Sequence, residues 1–176
     1  MLKIALFHQR TSESDLIMSK ENQQNPNMPL TIHAQYIKDM SFENPNAPAS
    51  LQSSEAGAPQ MEVNVNLDSA PMDQKGFYEM VLTINTTATR NDKTLFIAEL
   101  VYGVVCSVAE NVPEQHVHPL VMIEAPKMAF PFARQILCDA VIGGGYPPLM
   151  LNPVDFEGLY VSQYQKEQGE ETESTD

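Results

Sequence analysis

Few residues of this 176-residue chain are spaced for chemistry. Gly143, Gly144 and Gly145, followed by Tyr146, Pro147 and Pro148, have the composition of a phosphate-cradling loop. Such a loop leads out of a strand and into a helix N-terminus, whose free amides meet the anion. Here the glycines come after a helix-like run, PFARQILCDAVI (131–142). Pro147 and Pro148 remove two amide donors, and no lysine stands at the Walker spacing. The glycines therefore predict a helix C-cap and a turn. His116 and His118 could share one face of a strand and hold a metal, but no nearby cysteine or third histidine completes the set. Ser107 and Ser162 lack a nucleophile-elbow context. Cys106 and Cys138 have no CxxC spacing and sit in apolar runs, which raise a thiol pKa and blunt its reactivity. They are expected to be buried free thiols of a reducing compartment. No active site assembles from these residues, so neither catalysis nor a cofactor nor a bound metal is expected.

Composition narrows the partners. Lysine and arginine number 10 against 23 aspartates and glutamates, a net charge of −13. A nucleic acid backbone or an anionic membrane surface would repel such a chain, whereas basic partners would be attracted. The opening MLKIALFHQR is too short in its apolar part for a signal-peptide core, and no run approaches a membrane-spanning length. A cytoplasmic location is expected. The ten methionines suit a surface that accepts varied partners, and equally an ordinary core.

The elements that would position any site divide the chain in two. Residues 1–29 are polar for most of their length and are expected to form a disordered arm, as is the acidic tail 165–176. Between them lies a domain, 30–164. Its first half predicts strands. TIHAQYIKDMSF (31–42) would put Ile32, Ala34 and Tyr36 on one face. MEVNVNLD (61–68) alternates strictly, with Met61, Val63, Val65 and Leu67 apolar. FYEMVLTINTTATR (77–90) and KTLFIAELVYGVVCSV (93–108) flank a polar turn and make a hairpin. The connection 43–60 is rich in proline and alanine and predicts irregular chain. Four strands without intervening helices imply an antiparallel sheet. The second half predicts a helix over 131–142, approached by a bent segment carrying Pro119 and Pro126, and a second helix capped by Asp155. The fold class is therefore α+β, a four-stranded antiparallel sheet with two C-terminal helices. Such a set cannot cover both faces of the 93–108 strand, so apolar surface is left for self-association or a ligand.

Six segments, taken in order, resemble the SecB family of bacterial protein-export chaperones. They are YIKDMSFENPNAP (36–48), MEVNVNLD (61–68), FYEMVLTINTTA (77–88), FIAELVYGVVCSV (96–108), HVHPLVMIEAPKMAFPFARQI (116–136) and GGGYPPLMLNPVDFEGLY (143–160). The most specific motifs are KD-x-SFE-x-P-x-AP, FPFAR and PP-L-x-LNPV-x-F. The resemblance implies an ATP-independent chaperone, a homotetramer built as a dimer of dimers. It would bind unfolded preproteins and pass them to the SecA motor ATPase. Asp39, Glu43 and Glu99, with Ile97 beside them, match the family's motor contact. Val63, Val65 and Leu67 match a client patch, to which Tyr36, Phe42, Tyr102, Leu137 and Phe156 are added as apolar or aromatic rim candidates. Phe132, Ile136 and Cys138, on the 131–142 helix, are expected at the oligomer interface. A small-molecule carrier, monomeric with an enclosed pocket, is the alternative from a different class, and an unrecognised enzyme would need a convergent polar cluster.

Overall fold

A computed structural model describes residues 28–52 and 57–163. Four strands form one antiparallel sheet: β1 (Leu30–Glu43), β2 (Gln60–Pro71), β3 (Phe77–Arg90) and β4 (Lys93–Val108). Their spatial order is β1-β4-β3-β2. Three hairpin-connected strands thus have the first strand laid beside the last, a Greek-key arrangement. The β3–β4 hairpin turns through Asn91 and Asp92, both with positive φ, at 50° and 59°. That is the primed turn whose twist matches the strands it joins. The connection between β1 and β2 contains one helical turn, α1 (Ala49–Gln52).

The chain then runs helically from α2 (Glu114–Pro119) through a π turn (Leu120–Glu124) into α3 (Ala125–Gly143). The helix expected over 131–142 is therefore only the end of a much longer one. Proline punctuation misplaces its start for a physical reason. The Ala125 amide reaches back five residues to the Leu120 carbonyl, and this widened turn makes room just before the Pro126 ring. His116 and His118 accordingly lie on a helix and not on a strand, where an i, i+2 pair would share a face.

The triple glycine closes α3. Gly145 has φ of 89°, its amide donates to Ile142 at 3.0 Å, and the Tyr146 amide reaches Val141 at 3.2 Å. This is a Schellman cap, so the glycines end a helix and do not face an anion. A last helix, α4, covers 156–163, and the Asp155 carboxylate caps it by accepting the Gly158 amide at 3.0 Å.

One face of the sheet carries the core. Met80, Leu82, Ile84 and Ala88 of β3 and Ala98, Leu100, Val104 and Cys106 of β4 are wholly buried. Against them α3 sets Ala125, Ala129, Ala133, Leu137 and Val141, four residues apart. The three alanines let the helix axis come close to the sheet, and Leu137 fills the space between. Thr86, a buried polar residue in this layer, donates its hydroxyl to the Ala98 carbonyl at 3.2 Å. Burial pushes the Cys106 thiol up to about 11, which suits an inert core residue, and Cys138 is also buried and free. The expected N-terminal arm falls almost wholly, and the acidic tail from 165 wholly, outside the described residues.

Candidate functional site

The sheet has a second face, turned away from α3. Strand partners share a face and alternate residues point to opposite faces, so the register identifies its members. Asp39 pairs with Val101, Ser41 with Glu99, and Glu43 with Ile97. On the other side of β4, Asn85 pairs with Glu99 and Thr87 with Ile97. Asp39, Glu43, Ile97 and Glu99 thus come together on the open face, on two neighbouring strands. Glu62, Asn64, Asn66 and Asp68 continue this face on β2, opposite Thr87, Asn85, Thr83 and Val81. The result is a flat, largely polar surface with carboxylates spread over it.

β1 reaches this face by irregularity. Register shifts between Ile32 and Ala34, and between Ile37 and Asp39, break the strand's alternation. Ile32 therefore stays with the core, while Ala34 and Tyr36 point to the open face, contrary to the single face expected for all three. The second shift turns Asp39 to the open face and leaves Met40 and Phe42 on the core side. Tyr36 lies across Gly103, where an added Cβ would stand 2.5 Å from the ring. Its hydroxyl donates to Glu79, which also accepts from the Lys38 ammonium at 2.8 Å. These bonds, that from Lys38 foremost, hold the Glu79 carboxyl below its ordinary range, and the bond to Glu79 holds the Tyr36 phenol above its own. His33, beside Tyr36, stacks on Phe77 at 4.8 Å and hydrogen-bonds Ser107 at 2.7 Å.

The apolar residues of β2 point the other way. Val63, Val65 and Leu67 face Thr86, Ile84 and Leu82, on the α3 side. Beyond the reach of α3 this side runs out into solvent: Leu67 is buried, Val65 half-buried, and Val63 is 40% exposed, next to exposed Met61. The other client candidates separate in the same way. Tyr102, Leu137 and Phe156 are core residues, with Phe156 edge-on to Phe130 at 5.8 Å. Phe42 is half-buried and stacks on Phe96, and Tyr36 belongs to the open face. Rim position for Tyr102, Leu137 and Phe156 is corrected to core: strand and helix periodicity marks them apolar without saying which apolar face is covered.

Along the outer side of α3, Met128, Phe132 and Ile142 are about half exposed (48%, 56% and 48%), with Gln135 and Asp139 between them. Sequence reasoning named Phe132 here and missed Met128 and Ile142, although their spacing of four, then ten, residues keeps one helical face. Ile136 is half-buried, and Cys138 is turned into the chain rather than outward. No group of three or more metal-ligating side chains occurs among the described residues. No helix among them is long and apolar enough to cross a membrane.

A bare carboxylate face, an apolar margin on the opposite face and an uncovered helical stripe define a protein whose working parts are contact surfaces. Residues 21–167 match the family described as preprotein translocase subunit SecB. The chain belongs to the SecB family of protein-export chaperones. It is 41% identical over 153 residues to the protein-export protein SecB of Bartonella quintana, covering 87% of this chain and 95% of that one. It is 50% identical over 131 residues to that of Afipia carboxidovorans, covering 74% and 80%. Among solved structures it resembles the SecB-like chaperone of Mycobacterium tuberculosis, determined with a peptide of the HigA1 antitoxin. The TM-score is 0.56 at 12% identity, over 72% of this chain and 91% of that one, which is a likeness of fold. Binding preproteins for export and delivering them to SecA is the role known for the family.

Proposed function

We propose that this chaperone works through two binding surfaces on opposite faces of one sheet. SecA meets the open face through Asp39, Glu43 and Glu99, with Ile97 as the apolar neighbour. Unfolded preproteins meet the apolar margin on the α3 side, where Val63 and Val65 leave surface uncovered. The observation that carries this reading is the register, which sends the two residue sets to opposite faces. Carboxylates attract a basic partner and steer its encounter, but add nothing to holding an apolar segment, since burying them unpaired is costly. A long unfolded chain touching several weak apolar patches gains avidity, which a folded protein cannot do.

The working form is a cytoplasmic homotetramer, a dimer of dimers. Two uncovered surfaces support it: the Met128, Phe132 and Ile142 stripe, and the long free edge of β1. Within this reading the protein carries out no catalytic step and uses no cofactor. The experiment is a paired titration of variants against SecA and against a reduced, unfolded polypeptide. Glu99→Gln should weaken SecA binding, most visibly at low salt, and leave client affinity unchanged. Val63→Ser should do the reverse, costing on the order of 1 kcal/mol of client binding. Loss of client binding in Glu99→Gln with SecA binding intact would show the surfaces to be assigned the wrong way round.

A further inference from the structure

At the β3–β4 turn two cations are placed side by side, and Asp92, the acid of the turn, forms an ion pair with neither. Arg90 ends β3, Lys93 begins β4, and the two are paired across the hairpin. Directly opposed like charges destabilise a hairpin unless something neutralises them. Both line a cleft of about 250 Å³ whose other walls are Asn46, Ala49, Ser50, Thr94 and Leu95, so among the described residues no acidic side chain lines it. Ion pairs among the described residues involve Lys38 and Lys127, and neither Arg90 nor Lys93 takes part in one. The Arg90 Nε is shielded from solvent and is the one buried side-chain nitrogen or oxygen among the described residues without a hydrogen-bond partner. A shielded guanidinium donor left unpaired is costly. It is also unexpected in a chain with 23 acidic residues, which has ample means to pair it.

We infer that this cleft is an oxyanion site, taking the phosphate or carboxylate group of a small ligand. The planar guanidinium supplies paired donors and the Lys93 ammonium a point charge, a combination suited to a phosphate-class anion. The walls are held in advance. The Asn46 amide donates to the Thr94 carbonyl at 2.8 Å, and the Ser50 hydroxyl lies 2.9 Å from that of Tyr146. The volume suits one anionic group with a short appendage and is below that of pockets for drug-sized ligands. This site adjoins the Glu43 and Ile97 end of the open face but shares no residue with either proposed protein-binding surface.

Inorganic phosphate is titrated into the full chain at constant ionic strength, balanced with sodium chloride. Arg90 Nε and the amides of residues 90–94 are followed by NMR, and the melting temperature in parallel. A saturating shift at these positions and a concentration-dependent rise in melting temperature are expected. Arg90→Gln and Lys93→Gln should each weaken the affinity about tenfold, and Arg90→Lys less, since it keeps the charge and loses the paired geometry. A chain ending at residue 165 separates two sources of the anion. Unchanged phosphate affinity supports a site for a free anion, whereas a severalfold rise supports a site already held by carboxylates of the acidic tail. A non-saturating response, or one equal in the wild type and in both glutamine variants, overturns the inference.

Discussion

Glu79 accepts bonds from two β1 side chains, the Lys38 ammonium and the Tyr36 hydroxyl, and so fastens the irregular stretch of β1 to β3 across β4. Because its folded pKa lies below the ordinary value of 4.5, its contribution to stability is complete above that value and is lost as pH falls through the folded pKa. The Tyr36 phenol has the opposite sense. Its folded pKa lies above 10.0, so its contribution is present below 10.0 and is lost as pH rises through the folded value. Lys38 is nearly half exposed, which limits the ion pair to about 1 kcal/mol or less. Glu79→Gln should therefore cost at most about 1 kcal/mol at pH 7 in denaturant unfolding. The gap to the wild type should close as pH falls below 4.5, and a gap that persisted there would exclude the carboxylate as its source. The sequence marked Tyr36 only as a rim candidate and gave no sign of its bond to Glu79 or of Lys38, because the three meet only through a register shift and a glycine, Gly103, that leaves room for the ring.

Elements differ in how openly their sequences declare them. The strict alternation of MEVNVNLD is one strand with one apolar face, and β2 has that face. Asp155 and the triple glycine mark helix ends because caps are local hydrogen-bond arrangements. The start of the long helix was hidden because Pro119, Pro126 and Pro131 argue locally for a break. A π turn and burial against the sheet outweigh that preference. In α3 the tight approach rests on alanines, so Leu137 is its largest wholly buried aliphatic side chain. Leu137→Ala should cost roughly 2–5 kcal/mol, depending on how far the alanine-lined interface can collapse. Equilibrium unfolding by urea measures it, and a loss below about 1 kcal/mol would mean that α3 does not depend on this contact.

At the scale of the whole molecule, the stripe of Met128, Phe132 and Ile142 is apolar surface that a free chain would leave in water. Phe132, 56% exposed, is the best place to test it, because a charge there disturbs little inside the chain. Phe132→Glu should leave secondary structure intact and convert an assembly about four times the chain mass into smaller ones, seen by light scattering. An unchanged mass would remove this stripe from the interface. The same charge at Cys138 or Ile136 is a poorer probe, since Cys138 is buried and Ile136 half-buried, and unfolding would be confounded with dissociation.

Fold class, strand count, both helix caps and the family were legible in the chain, because each rests on residue spacing or on near-neighbour bonds. So was the grouping of three carboxylates, Asp39, Glu43 and Glu99, with their apolar neighbour Ile97, since they sit in motifs that the family resemblance carries. What periodicity could not supply was which apolar side chains remain at the surface. Leu67 and Val63 lie four residues apart on one strand face, yet one is buried and the other 40% exposed. The difference comes from how far the π turn at Leu120–Glu124 covers β2, a contact between segments far apart in sequence. The paired cations of the β3–β4 turn were hidden for the same reason. Arg90 and Lys93 look like an ordinary polar hairpin until the chain around Asn46 and Ser50 folds beside them to form a cleft in which the Arg90 Nε is shielded from water.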